Sequence, residues 1–442
     1  MPNPFLPLWE YIPDGEPRVF GDRVYLYGSH DRAACDEFCD FKLKVWSAPI
    51  SDLNSWQCHG DSFRTRDGER PADADWTDRE CYAPDVIEKD GKYYLYSYIV
   101  GSKGAVGVSD KPEGPFKCLG QYIYDAETQV GDDGIFNDAG VLADDDGRVY
   151  VYYGFTESNM NELDPADMRT VIKGSYKRPV IDDTDNAPEE QRFFEASSPR
   201  KINGTYYLIY SPRKGSRLAY ATSDSPAGPF TYRGYIVDNS QDYPGGNDHG
   251  SLTCINGQWY IFYHRMTNNT IMSRRACAEK VEILPDGTIP PVEMTSLGFE
   301  EALDPYKSTP AEIACVLKGG CYITERDIFT RPIVGITDGA VIGYKYFDFG
   351  DDFTGDSMTL ALKVRGMGVK CSVRVLTDSY EDGEEIGVCA IGTSDGVYKC
   401  KVKNLTGRHA VYFIAEHGVT NWTKGWFDPK QLFEFEEFVF MK

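Results

Sequence analysis

Positive charge is scarce in this chain. Against 69 Asp and Glu it carries 46 Lys and Arg and six His, a formal net charge of −23. A surface that acidic repels phosphate backbones, which excludes nucleic acid as a partner and disfavours anionic membranes. No run of roughly 20 apolar residues exists, so no helix is expected to span a bilayer. The opening, MPNPFLPLWEYIPDGE, has neither the basic segment nor the apolar stretch of a leader, so a cytoplasmic location is expected. Paired cysteine spacings are also missing. The twelve Cys are scattered, and Cys35 and Cys39 form a C-x3-C without a second such pair. Zinc needs four ligands, so no metal site is read and reduced thiols are expected. Long stretches of helical periodicity are absent as well.

What the chain has is aromatic residues, turns and repeats. Aromatics make up 14%, including 30 Tyr, with 43 Gly and 25 Pro. That composition, over 442 residues, predicts an all-β protein of two domains. One phrase recurs five times: GDRVYLYGS at Gly21, DGKYYLYSY at Gly91, DGRVYVYYG at Gly147, NGTYYLIYS at Gly204 and NGQWYIFYH at Gly257. Each is a turn suited to positive φ followed by a strand of alternating bulky side chains. The glycine spacings of 70, 56, 57 and 53 leave room for four strands per repeat. Four-stranded units repeated radially make a β-propeller, here with five blades.

Acids precede those turns at similar registers. Asp14, Asp85, Asp138 and Glu195 lie seven, six, nine and nine residues before their glycines, and Asp248 and His249 nine and eight before Gly257. These are the starts of the innermost strands, which should gather at one mouth of the channel. Converging carboxylates repel one another and are costly to desolvate. Capping a turn or pairing with an arginine explains any one of them, but less readily the set. Acids beside aromatic walls suit a sugar, whose hydroxyls donate to carboxylates and whose apolar faces lie on rings.

These residues resemble glycoside hydrolase family 43, the five-bladed inverting xylosidases, arabinofuranosidases, arabinanases and galactanases. The likeness covers roughly residues 1–300. It rests on NPF at Asn3, PDGEP with Asp14, CYAPDV with Asp85, FNDAGVLADDDG with Asp138, and FEASSPRKINGTYY with Glu195. It implies Asp14 as general base, Asp138 as pKa modulator and orienter, and Glu195 as general acid. Three positions depart from the family pattern: Gly15 follows Asp14, Tyr82 replaces a tryptophan, and Ala139 follows Asp138. Glu16 is a rival base. Inversion needs two carboxyls roughly 6.5–9.5 Å apart with a water between. Asp14 should stay ionised, while Glu195 should start protonated, raised by Asp138 and by an apolar wall of Phe193 and Phe194. Asp85, Tyr82, Trp9, His30, His249, Arg265 and Arg275 are the expected substrate-binding set. Asp31 and Trp76 lie beside them. No cofactor is required, with a structural calcium reached through water by His249 as the one addition the resemblance suggests.

A proline-rich stretch near residue 300 divides the chain into an expected propeller over 1–303 and a second domain over 304–442. PVEMTSLG is expected to close the propeller. Beyond it, short alternating strands predict a β-sandwich. This part resembles carbohydrate-binding modules of family 6 through YKYFDFG and LTGRH, with Tyr398 where a tryptophan is usual. Trp422 and Trp426 are its candidate sugar contacts. The expected partner is an oligosaccharide, and nothing in the sequence specifies an oligomeric state. The expected activity is exo-acting release of terminal xylose or arabinofuranose from plant-wall oligosaccharides. A galactan-directed enzyme on the same fold and a carbohydrate-binding protein without catalysis are the alternatives.

Overall fold

The structure, a computed structural model, describes residues 1–181, 187–418 and 430–442. Trp422 and Trp426 lie outside the described residues. The chain is all-β. Among the described residues, five small antiparallel sheets come first, followed by two larger ones. The first sheet holds β1 (Glu16–Phe20), β2 (Arg23–Gly28), β3 (Lys42–Pro49) and β4 (Gln57–Arg64). The second holds β5 (Cys81–Lys89), β6 (Lys92–Ile99), β7 (Ala105–Ser109) and β8 (Lys117–Gly120). The third holds β9 (Gly140–Ala143), β10 (Val149–Tyr153) and β11 (Asn159–Leu163). The fourth holds β12 (Phe193–Ile202), β13 (Thr205–Pro212), β14 (Arg217–Ser223) and β15 (Thr231–Asp238). The fifth holds β16 (Ser251–Ile255), β17 (Gln258–Thr267) and β18 (Thr270–Val281).

The repeated phrase is the first hairpin of each sheet. In three of them both turn residues have positive φ: Asp90 and Gly91 (53° and 75°), Asn203 and Gly204 (51° and 86°), Asn256 and Gly257 (50° and 83°). That pair of conformations matches strand twist in a two-residue hairpin, which is why Asp-Gly and Asn-Gly stand there. The strands after the turns are mostly buried, and VYVYY of β10 is buried throughout. Separate apolar clusters fill the gaps between neighbouring sheets. The innermost strands β1, β5, β9, β12 and β16 stand side by side around the channel.

Two sheets depart from the expected four strands. Among the described residues the third and fifth have three. In the fifth, the outer place is taken by the start of the chain. Phe5 N–H donates to Ala276 O (3.2 Å), and Asn3 exchanges side-chain hydrogen bonds with Ala278 N and O (2.9 and 2.8 Å). The ring is thus closed by residues 3–5 against β18. PVEMTSLG lies over that closure: Ser296 O accepts from Asn3 N–H, and Ser296 N–H donates to Lys345 O of the second domain.

The second domain is a two-sheet sandwich. One sheet contains β19 (Thr309–Pro310), β21 (Tyr322–Ile323), β22 (Ile333–Val334), β24 (Ser357–Gly366), β27 (Gly396–Lys403) and β29 (Phe433–Met441). The other contains β20 (Val316–Lys318), β23 (Val341–Asp348), β25 (Cys371–Thr377), β26 (Glu384–Ile391) and β28 (Arg408–Glu416). Its core runs without a break into the propeller: Leu218, Ile261 and Cys277 belong to one apolar cluster with Leu317, Ile323 and Phe438. All twelve cysteines are free thiols.

Candidate active site

The innermost strands begin with a break from extended backbone. Asp14, just before β1, has φ 56°, and Asp138, just before β9, has φ 45°. In β5 and β12 the same event is a bulge. Ala83 (φ 39°) falls between Tyr82 and Asp85, and Ala196 (φ 69°) follows Glu195, where the pairing register shifts twice. A left-handed L-residue costs about 1–2 kcal/mol, and such strain persists where function holds it. Here it turns side chains over the channel mouth. Asp14, Asp138, Glu195 and His249 line one pocket of about 150 Å³ with Phe38, Tyr82, Tyr98, Asn137, Asn247 and Arg274.

Asp14 is the most constrained of the acids. Its Oδ1 accepts from Arg274 Nη1 (2.8 Å) and its Oδ2 from Ser29 Oγ (2.6 Å). Arg274 is itself fixed by Asp31, whose oxygens accept from Arg274 Nε, Nη2 and the backbone N–H, each at 2.9 Å. Burial opposes ionisation of Asp14, but the Arg274 guanidinium and the hydrogen bond from Ser29 hold its carboxyl below its ordinary value. His264 lies beneath it. The Asp14 N–H donates to His264 Nδ1 (3.3 Å), and burial with the nearby Arg274 charge pushes His264 down to about 3, so the ring is neutral. Its Nε2–H then donates to Asn247 O (3.1 Å).

The other two acids go the opposite way. Burial, then the negative charge of Asp14, pushes Glu195 up to about 7. Asp138 is raised to about 7 by burial and by Glu195. His249 Nδ1 sits 3.8 Å from Asp14 Oδ1 and 3.9 Å from Asp138 Oδ2. Two buried wall atoms, Asn137 Nδ2 and Asn247 Oδ1, have no hydrogen-bond partner within the protein. A buried polar atom left unpaired is costly, and here it offers a donor and an acceptor to a hydroxyl-bearing ligand.

Several expected contacts lie elsewhere. Asp85 is in the channel but below the pocket, where both its oxygens take Arg18 Nη2 (2.8 and 2.7 Å) and one also takes Val141 N–H. Glu16, the rival base, is paired there with Arg200 (2.7 Å) and does not line the pocket. His30 bridges Asp40 (2.9 Å) and Glu10 (3.2 Å) and does not line the pocket. Trp9 is 56% exposed and outside the pocket. Arg265 is buried against Tyr263 and Glu279. Arg275 is buried facing Glu312 of the second domain. Trp76 packs under the first and second sheets. Phe193 is in the core against Tyr210, and Phe194 meets Phe155, so the pocket's aromatic wall is Phe38, Tyr82 and Tyr98 instead.

A comparison with known families matches residues 2–289 to glycosyl hydrolases family 43. The chain belongs to that family. A xylosidase/arabinosidase of Thermoclostridium stercorarium is 37% identical to it, over 93% of this chain and 95% of that protein. An arabinoxylan arabinofuranohydrolase of this family from Bacillus subtilis, solved with cellotetraose, superposes over 100% of this chain and 97% of its own at 25% identity, with a TM-score of 0.54. A β-xylosidase/α-arabinofuranosidase from a compost metagenome, solved with xylotriose in a calcium-free form, covers 66% of this chain and 98% of its own at 29% identity and a TM-score of 0.55. In this family-43 chain, no group of three or more His, Cys, Asp or Glu side chains among the described residues is arranged to hold a metal ion. The acids around His249 do not by themselves make the six-to-eight-oxygen shell calcium takes.

Proposed function

We propose that this protein is an inverting, exo-acting glycosidase that releases a terminal pentose, β-D-xylose or α-L-arabinofuranose, from plant-wall oligosaccharides. The observation that carries the reading is the split ionisation in one small pocket: Asp14 held low, Glu195 raised to about 7. Two carboxyls whose surroundings drive them apart are the acid and base of a hydrolase. Asp14 takes a proton from a water as that water's oxygen bonds to the anomeric carbon. The glycosidic bond breaks with its electrons going to the leaving oxygen, which receives the proton of Glu195. Asp138 and His249 hold the sugar and the water between the acids. Phe38, Tyr82 and Tyr98 cover its apolar face, and Arg274, Asn137 and Asn247 take its hydroxyls.

A pocket of about 150 Å³ is well below the size of sites that take drug-sized ligands. It suits one ring, which supports action at a chain end. The division of the chain near residue 303 belongs to the same reading, since β18 ends at Val281 and β19 begins at Thr309. So does a sandwich of the family 6 carbohydrate-binding type, on the strength of YKYFDFG and two packed sheets. The test is a panel of aryl glycosides. Wild type should release p-nitrophenol from a β-xyloside or α-arabinofuranoside, with the inverted anomer appearing first by NMR. No turnover on any pentoside sinks the reading, and turnover on galactosides alone transfers it to the galactan-directed alternative.

A further inference from the structure

The second domain reaches the face of the propeller on which the pocket opens. β17 and β18 carry His264 and Arg274 at the pocket, and their hairpin continues past it to a turn at Asn268 and Asn269. That turn is therefore at the mouth. The sandwich is bonded to it there: Asn268 N–H donates to Ile323 O (2.7 Å), and Glu325 N–H donates to Asn268 Oδ1 (2.6 Å). Glu325 also accepts from the hydroxyl of Tyr11 (2.6 Å), three residues upstream of Asp14. The segment following Ile323 thus sits between the first and fifth blades, on the rim.

A tight turn follows Glu325. Arg326 N–H donates to Thr330 O (3.1 Å) and Phe329 N–H to Asp327 Oδ1 (2.8 Å). The buried Arg331 guanidinium donates to Asp327 O and Thr330 O, and Arg326 is held by Glu434 and Glu436. Yet this braced turn leaves Phe329 75% and Ile328 54% exposed. Trp9, two residues before Tyr11 in the chain, is exposed as well. Single exposed apolar side chains are ordinary. Two of them side by side on a turn with fixed backbone form a pre-organised apolar contact surface, which costs little entropy to bind.

We propose that the turn Arg326–Thr330, with Phe329 at its tip, is a binding site for the leaving-group sugars beyond the first, in an oligosaccharide whose terminal residue occupies the pocket. The occupant is a xylose-based chain. The pocket takes one ring, so the remainder must leave across the rim, and rings with apolar faces lie flat on aromatic side chains. This rests on the pentosidase reading above.

The test compares xylobiose with xylotetraose. In Phe329→Ala, kcat/KM for xylotetraose should fall roughly tenfold further than for xylobiose, the scale of one lost apolar contact. Phe329→Trp should restore it, and the Kd of Glu195→Gln for xylotetraose should rise by a similar factor when Phe329→Ala is added. Thermal melting of each variant separates misfolding from lost binding. Equal losses on both substrates, or an unchanged Kd, overturn the proposal. Because binding is read on Glu195→Gln, a wild type that hydrolyses neither substrate counts against the β-xylosidase form of the reading above and not against this site.

Discussion

At the residue scale, the catalytic reading reduces to two carboxyls kept in opposite states. Activity requires Asp14 ionised and Glu195 protonated. A kcat/KM profile should therefore fall as pH rises through about 7, and hold on its acid side to below the ordinary aspartate range. Arg274→Ala removes the charge that keeps Asp14 low, so the acid limb should move to higher pH, with a loss of roughly 100-fold or more. An acid limb that stays put would show that Arg274 does not set Asp14. Glu195→Gln should lower hydrolysis of unactivated glycosides by roughly 10²–10⁴. It has a second consequence. Glu195 titrates higher in the folded chain than in the unfolded one. From roughly pH 4.5 to 7 the native state keeps a proton that the unfolded state has released, and stability falls across that window as pH rises. Glu195→Gln should then melt at a higher temperature than wild type at pH 8, with the difference vanishing near pH 4.

At the element scale, the innermost strands are packed closely enough to position acids. A Cβ on Gly140 would stand 2.1 Å from Ser197 O and 2.5 Å from Pro199 Cδ on the neighbouring inner strand. The backbone oxygen cannot step aside without moving β12, which carries Glu195. Gly140→Ala should cost about 1–3 kcal/mol, as overpacking does, lowering the melting temperature by several degrees with activity reduced in the folded fraction. The hairpins that make these sheets were legible because Asp-Gly and Asn-Gly before alternating aromatics have few other uses. Asp14, Asp138 and Glu195 were legible as neighbours in space from their similar places, seven to nine residues before the repeated glycines. Arg274 was not. It stands beside Arg275 on a strand buried on both faces, so alternation alone could not say which arginine meets the pocket and which meets Glu312. Asp85 misled for a related reason: the bulge at Ala83 shifts the register, and the acid two residues on falls below the mouth. Phe38 and Tyr98 come from a loop and a second strand, where aromatics are too common to single out.

At the scale of the whole molecule, one apolar cluster joins the fourth and fifth blades to the sandwich. A domain interface of that kind unfolds with its domains. Calorimetry of the full chain should give a single transition, and residues 1–303 alone should be poorly soluble or markedly less stable, having exposed the propeller side of that cluster. Two well-separated transitions would contradict the shared core.

The closure of the ring by residues 3–5 has a further meaning for catalysis. Asp14 belongs to the first blade, and the arginine that ionises it belongs to the fifth, 260 positions later. The join between chain start and β18 is also where base and counter-ion meet. A chain that has built four blades holds every acid of the site and still lacks the arginine that fixes its base. Turnover is thus a direct reporter of the last step of assembly, and any variant that springs the join should lose activity before it loses its blades.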